Sequence, residues 1–493
     1  MSVQLYNDTS SIKLVRGTDV YNIDRSCDLR IYGQELHITS NGGKSYYVVN
    51  FSDVTVPVVA NIEALRVAVE AWKEDTISAT IDTTGLATSA NQTNGNQVTQ
   101  VSNLPTLSTD AFGRLRTSGT ANRLDVEFIY DKQEEIFDEV IGGAGVVTHQ
   151  ANSRDLVMTN NATGTTDFAY MQSYPVPYTP GNSQLIAITG VLNAANKEGT
   201  AEVFLRSKVT GTVVEQTVPQ ASWVSNTSGI DWNYSQIFEM DFQSLKVGRI
   251  NYYLNQSGVI TPIASIYNDN IRARGYWQMP NLPLSWRIYN TATHTYTEMC
   301  YGDSSNAIGI RFKTALVNNQ SMIAICATVK SEGGDNLLNI AGFNRSISMA
   351  QTAKTVATSI IPLISIRPRS TFQGYENLGT IIPNNISFQV DNPIRYLVYH
   401  DSVLTGASWV NVDTAQSMIE YDVSATAVSN GHVIETDYVA GTKNTSSSFN
   451  SLLGKAILWY RKSSQTGILT IAAVRTTSTS ASTLCALKWN EIR

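Results

Sequence analysis

Over the first fifty residues apolar and polar positions alternate in short bursts: Ser11-Ile-Lys-Leu-Val-Arg, Leu29-Arg-Ile-Tyr, Glu35-Leu-His-Ile and Tyr46-Tyr-Val-Val-Asn-Phe. Turn residues such as Asn41-Gly42-Gly43 separate them. A period of two predicts a small meander of strands. From Asn61 to Lys73 the period lengthens, placing Ile62, Leu65, Val69 and Trp72 on one face of a helix that follows the breaker Pro57 and starts on Asn61 as N-cap. Residues 1–75 are therefore expected to form a small β-plus-helix anchor whose apolar helix face docks on a larger assembly. So small a core is marginal alone and gains stability from docking or oligomerisation.

Residues 76–109 are polar and nearly free of aromatics, centred on Thr83-Thr-Gly-Leu-Ala-Thr-Ser-Ala-Asn-Gln. They read as a linker or neck, because such a segment cannot bury enough apolar surface to order itself. After Asp110 the alternation resumes. Gln184-Leu-Ile-Ala-Ile-Thr-Gly, Ala201-Glu-Val-Phe-Leu-Arg, Gln236-Ile-Phe-Glu-Met-Asp-Phe, Gly248-Arg-Ile-Asn-Tyr-Tyr-Leu, Leu284-Ser-Trp-Arg-Ile-Tyr and Ser321-Met-Ile-Ala-Ile-Cys-Ala-Thr-Val are strands of a first sandwich, residues 110–340. Val356 to Ile366, Ile394-Arg-Tyr-Leu-Val-Tyr, Val433-Ile-Glu-Thr, Ala456-Ile-Leu-Trp-Tyr and Gly467-Ile-Leu-Thr-Ile-Ala-Ala-Val are strands of a second, residues 341–493. The fold class is mainly β: two consecutive antiparallel, jelly-roll-like sandwiches behind the anchor. No internal repeat is visible.

Composition narrows the function. Only 15% of residues are charged, against roughly 25% in an average globular protein. Ser, Thr, Asn and Gln fill the surface instead, as suits a secreted or virion β-protein. A net charge of −6 excludes broad nucleic-acid binding, which needs clustered Lys and Arg. No signal peptide opens the chain and no apolar run is long enough to span a membrane, so synthesis in a cytoplasm without membrane insertion is expected. Cys27, Cys300, Cys326 and Cys485 are widely spaced and read as buried apolar residues, with neither a zinc site nor a disulfide framework.

Catalytic patterns are sparse. Gly142-Gly-Ala-Gly lacks the Lys-Ser/Thr that would contact phosphate and reads as a hairpin or loop. His37, His149, His294, His400 and His432 are scattered, and no GxSxG elbow occurs. The acidic cluster Asp131, Glu134, Glu135, Asp138 and Glu139 could supply the paired carboxyls of a glycosidase or oxygens for calcium. The favoured reading is a solvated loop or short helix with Ile136 and Phe137 turned inward. No cofactor is expected. The candidate binding residues are the aromatics Trp223, Trp232, Tyr234, Tyr276, Trp277 and Trp409, which could stack on sugar rings or fill a partner's pocket. The competing assignment is sandwich core or trimer interface.

Asp110-Ala-Phe-Gly-Arg-Leu-Arg-Thr-Ser118 opens a series of ordered motifs. It continues through Tyr174-Pro-Val-Pro-Tyr-Thr-Pro-Gly-Asn-Ser-Gln-Leu, Arg206-Ser-Lys-Val-Thr-Gly-Thr-Val-Val, Ser235-Gln-Ile-Phe-Glu-Met-Asp-Phe, Gln278-Met-Pro-Asn-Leu-Pro-Leu, Ile325-Cys-Ala-Thr-Val-Lys-Ser-Glu-Gly-Gly and Ile419-Glu-Tyr-Asp-Val-Ser-Ala-Thr-Ala. From there onward the chain resembles a family of virion-associated proteins of tailed bacteriophages and large DNA viruses. The resemblance implies a structural role in the particle, as a capsid-decorating, fibre or tail component, and brings no catalytic residue. The expected partners are other virion proteins, further copies of the chain, as a trimer, and a host-surface glycan or protein. The alternative is a tail-associated polysaccharide hydrolase.

Overall fold

The computed structural model describes residues 119–493 apart from 226, 228, 334–341, 350–351, 442, 449–456 and 464–466, together with six strands between residues 3 and 50. The helix expected over Asn61–Lys73 with Ile62, Leu65, Val69 and Trp72, the polar segment 76–109 and the Asp110–Ser118 motif lie outside these residues. The chain divides into two compact units, Met1–Ser102 and Asn103–Arg493.

In the first unit the short alternating bursts become two antiparallel meanders. One runs β1 (Val3–Asn7), β2 (Ser11–Arg16), β3 (Asp19–Asp24); the other runs β4 (Asp28–Tyr32), β5 (Glu35–Ser40), β6 (Ser45–Asn50). Alternation sets the faces: Ile38 on β5 is buried and Val48 on β6 is exposed.

The second unit opens with a sandwich of an eight-stranded and a seven-stranded antiparallel sheet. The larger sheet runs β17 (Val259–Ile266), β16 (Ile250–Gln256), β15 (Gln236–Phe242), β12 (Gln184–Val191), β21 (Gln320–Glu332), β10 (Asp155–Asn160), β9 (Gly145–Gln150). Strand β21 pairs with β12 along one edge, while its other edge takes β10 and then β7 (Thr120–Glu127) in succession. The smaller sheet runs β14 (Val214–Pro219), β13 (Gly199–Ser207), β20 (Ala307–Ala315), β19 (His294–Gly302), β18 (Leu282–Asn290), β11 (Phe168–Val176), β8 (Phe137–Gly142). Gly142 to Gly145 is a corner and not a hairpin: β8 pairs with β11 in one sheet and β9 with β10 in the other. The thiols of Cys300 and Cys326 are free and belong to different sheets, so they do not face each other across one.

Inward positions follow the period of two. Ile186 and Ile188 of β12 are fully buried, as are Phe238, Met240 and Phe242 of β15, and they share one core with Leu284, Trp286 and Ile288 of β18. Trp286 is the centre of an aromatic cluster, 5.5 Å from Phe128 and 6.0 Å from Phe137. Gly190 lies opposite a bulge in β21, where Ile325 is the extra residue, and a Cβ at Gly190 would lie 2.5 Å from the Ile323 carbonyl oxygen.

The second sandwich pairs a five-stranded with a six-stranded sheet. In the first of these, β36 (Ala481–Ile492) lies between β27 (Thr380–Val390) and the successive short strands β22 (Phe343–Ser348) and β23 (Lys354–Val356), with β34 (Lys443–Ser448) beyond β27. The other runs β30 (Val410–Asn411), β31 (Ile419–Asp422), β24 (Ile361–Pro368), β35 (Leu469–Arg475), β28 (Ile394–His400), β33 (His432–Val439). Two small hairpins complete it: β25 (Thr371–Phe372) with β26 (Tyr375–Glu376), and β29 (Val403–Thr405) with β32 (Ala427–Ser429).

The apolar run Ile457-Leu-Trp-Tyr, expected as a strand, makes one isolated bridge, Leu458 to Ile381. It is instead a strap shared by both sandwiches. Leu458 is buried in the second core, while Trp459 is buried in the first and lies 5.9 Å from the Tyr174 ring.

Candidate functional site

Four of the six candidate aromatics are core, not surface. Trp223 and Trp232 pack edge to face at 6.1 Å, and their indole N–H groups donate to the Val218 carbonyl and to Gln220 Oε1. Tyr276 is fully buried, and so is Trp277, whose Nε1 donates to the Arg206 carbonyl while its ring meets Phe242 at 5.3 Å. Burial of this much aromatic area against a satisfied N–H is the ordinary way a sandwich uses Trp. Tyr234 is 68% exposed. Trp409 is half-buried under the Arg367 guanidinium, 4.2 Å from its ring. They sit on different sandwiches and form no joint platform.

The acidic cluster does not converge either. Asp131 accepts the Gln133 amide of its own turn, and Glu139 pairs with Lys132 at 2.6 Å. Phe137 turns into the core and Ile136 packs against it. Asp138 is buried and accepts the backbone N–H groups of Lys462 at 2.6 Å and Ser463 at 3.2 Å, pinning the strap of the second sandwich to β8 of the first. Among the described residues no group of three His, Cys, Asp or Glu side chains gathers to hold a metal.

That strap roofs a cleft between the sandwiches. At one end is a recess of about 480 Å³ over β8, lined by Lys132, Glu134, Asp138, Glu139, Arg461 and Lys462. A void of about 20 Å³ lined by Asp138, Asp303, Glu376 and Lys462 shares Asp138 and Lys462 with that recess. A separate recess of about 900 Å³ shares Asp303 and Glu376 with the void. The first sandwich contributes Lys208, Lys246, Gln278, Met279 and Asn306 to this larger space, and the second contributes Phe372, Tyr375, Asn377, Leu378, Met418 and Arg493.

Each wall has a local cause. On the first sandwich, Asp303 accepts the amides of Ser305 and Asn306 at 2.7 and 2.8 Å, an Asx turn that closes the β19–β20 connection. Arg206 donates to the Asp303 carbonyl from below at 3.1 Å. Opposite, Gln373 and Gly374 both have positive φ, 53° and 81°, which makes the β25–β26 hairpin a tight turn of the primed type and sets Phe372 and Tyr375 on the lip. Tyr375 is 68% exposed.

Lys462 bridges the two walls at the void, with Nζ 2.7 Å from Glu376 and 3.7 Å from Asp303. Burial alone would lower its pKa, but the two carboxylates hold it above the usual lysine value, so it is charged. Arg493 pairs with Glu491 at 2.8 Å and lies over the Phe343 and Phe372 rings.

Beneath the first-sandwich wall lies a denser charge array on the outer face of the seven-stranded sheet. Glu298, fully buried, receives Arg206 at 2.6 Å and the Tyr289 hydroxyl at 2.7 Å, with Arg311 at 3.6 Å and Arg287 at 3.8 Å. Glu202 and Glu215 complete the set through Arg311 and Arg206. Burial pushes the Glu298 carboxyl up, but the Arg206, Arg287 and Arg311 guanidiniums outweigh it and hold the pKa at about 2. Guanidinium forks lying across neighbouring strands explain why β18 and β19 are buried on both faces although only one faces the core.

Chemically the larger recess offers ring faces, amide and hydroxyl groups and two ammonium groups, with its carboxylates already engaged. The carboxyl that burial does push up, Glu239, is on β15 of the other sheet, beside Asn255. Sequence reading missed this cleft because its parts are short: a two-residue strand, an Asx turn and a single lysine carry no period. The Gln373-Gly374 turn pair and the Asp303-Ser-Ser-Asn run were the available signals.

The chain matches no family model and no curated protein. Among solved structures it is similar to an endo-1,3-beta-glucanase from Streptomyces sioyaensis, with a TM-score of 0.27 at 10% identity over 43% of this chain and 97% of that one. The tandem CBM22-1-CBM22-2 domain of Xyn10C from Paenibacillus barcinonensis gives 0.21 at 8% identity, over 76% and 98%. A legume lectin-like domain from Entamoeba histolytica gives 0.16 at 9%, over 42% and 97%. At these TM-scores the likeness carries no argument about a site or an activity. The assignment of two β-sandwiches rests on the strand pairings above.

Proposed function

We propose that this chain is a non-catalytic, glycan-adhesive component of a virus particle, displayed as a homotrimer and working through the cleft between its sandwiches. The particle assignment is supported by the ordered motifs that begin at Asp110, which resemble virion proteins. The adhesive reading is carried by one observation: the recess of about 900 Å³ is open, has Tyr375 exposed on its lip, and is edged by polar groups. Pockets of this size, largely preformed and mixing ring faces with a few polar groups, suit a saccharide. Cleavage would need one free carboxylic acid and one free carboxylate astride the bond. Asp303 and Glu376 share Lys462, and Asp138 holds the strap, so the cleft's occupied carboxylates favour holding over cutting.

Cryo-electron microscopy of intact particles tests the placement, and density at no particle site would refute it. Incubating the chain with host surface polysaccharide tests the rest. Retention without release of reducing ends is expected, and its weakening in Tyr375→Ala would assign it to the cleft. Steady release of reducing ends would instead favour the hydrolase.

A further inference from the structure

Resting on the glycan-binding reading, we propose that the larger recess selects saccharides carrying an acid group, which Lys208 and Lys246 receive while the Phe372–Tyr375 hairpin flanks the ring. The recess is lined by three cations and two carboxylates. Both carboxylates, Asp303 and Glu376, are shared by Lys462, and Arg493 is held by Glu491. Lys208 and Lys246 are exposed, and neither has an ion-pair partner among the described residues.

Gln278 links the two segments that carry these lysines: its backbone carbonyl accepts from Lys246 Nζ at 3.1 Å and its side-chain amide donates to the Lys208 backbone carbonyl at 3.3 Å. Backbone strain is spent on this arrangement. Leu245 and Lys246 both have positive φ, 27° and 62°, which non-glycine residues seldom adopt in succession. The turn is held by Ser244, whose Oγ accepts the Lys246 amide and whose carbonyl accepts those of Val247 and Gly248. Strained non-glycine residues persist where neighbours over-determine them, and they cluster at ligand clamps. Two lysines on the wall that faces the hairpin supply positive charge for an anion and leave the ring's apolar face for Tyr375.

The full chain is titrated with polygalacturonate, with the same polymer after carboxyl reduction, and with a phosphate-bearing mannan. Binding of either anionic polymer about twofold to thirtyfold tighter than the reduced one is expected, the range two exposed charge pairs allow, and the preferred polymer identifies carboxylate or phosphate as the natural group. That preference should shrink as ionic strength rises from about 0.05 to about 0.5 M. Lys208→Glu with Lys246→Glu, and as a milder pair Lys208→Gln with Lys246→Gln, should abolish the preference while binding of the reduced polymer remains. Equal binding of charged and reduced polymers, unmoved by either pair, would overturn the inference and leave glycan adhesion standing. Failure of all three to bind would remove both.

Discussion

Glu298 is the residue on which the first sandwich is electrostatically most exposed to damage. Its carboxylate is surrounded by three guanidiniums, each almost completely buried. Removing one partner of a buried ion cluster strands the others, at about 3–5 kcal/mol. Glu298→Gln should therefore lower the denaturant midpoint of the sandwich by that order, whereas exposed Glu134→Gln should leave it within about 0.5 kcal/mol. The sign of the pH dependence follows from the depressed pKa. The cluster's contribution is complete above the ordinary carboxylate range near pH 4.5 and is lost as pH falls towards about 2. Acid titration of thermal stability should fall through that window in the parent chain and lose part of its slope in Glu298→Gln. An unchanged slope would mean that other carboxylates dominate.

At the scale of elements, strands with a clear period were legible in sequence. Gln236–Phe242 and Ser11–Arg16 emerge with the bounds their alternation gave them. Burial on both faces was not legible. β18 was legible as a strand from Leu284 to Tyr289 but the burial of its polar face in the arginine array was not, and β19 was missed. The Ile457-Leu-Trp-Tyr run looked like a strand because its side chains are buried, but they enter two different cores. Trp223, Trp232, Tyr276 and Trp277 lie in the core and Tyr234 does not, a difference hidden from sequence, which gives the type of a ring and not the layer it occupies. Two predictions belong here. Asp138→Ala frees the amides of Lys462 and Ser463, costing about 1–3 kcal/mol, and should raise proteolytic cutting within 457–463. Gly190→Val forces a side chain against the Ile323 carbonyl and Met299 sulfur. It should destabilise by about 1–3 kcal/mol, read as a lower melting temperature.

Over the whole second unit, the strap, together with Thr380 Oγ1 donating to the Pro175 carbonyl at 2.7 Å, joins the sandwiches into one body. Trp459→Ala empties a first-core site from a segment of the second, with a cost of about 3–5 kcal/mol. Scanning calorimetry should then resolve two transitions where the parent shows one. A relation between the sandwiches also becomes visible that no repeat in the sequence announces. In each, the final strand lies inside its sheet, bound along one edge by a single strand and along the other by two strands in succession. These are β21 with β12, β10 and β7, and β36 with β27, β23 and β22.

That placement has a consequence for synthesis. Strands β7, β10 and β12 have no neighbour on their β21 side until residue 332 has left the ribosome, and β22, β23 and β27 wait in the same way for residue 492. Each sandwich is a cloth whose closing seam is sewn last, with unpaired edges open to solvent while translation proceeds. Pairings so distant in sequence form slowly and leave edges open to aggregation. The strands that wait carry few charges to guard those edges, so aggregation of chains stalled before residue 332 or residue 492 is the hazard this topology brings.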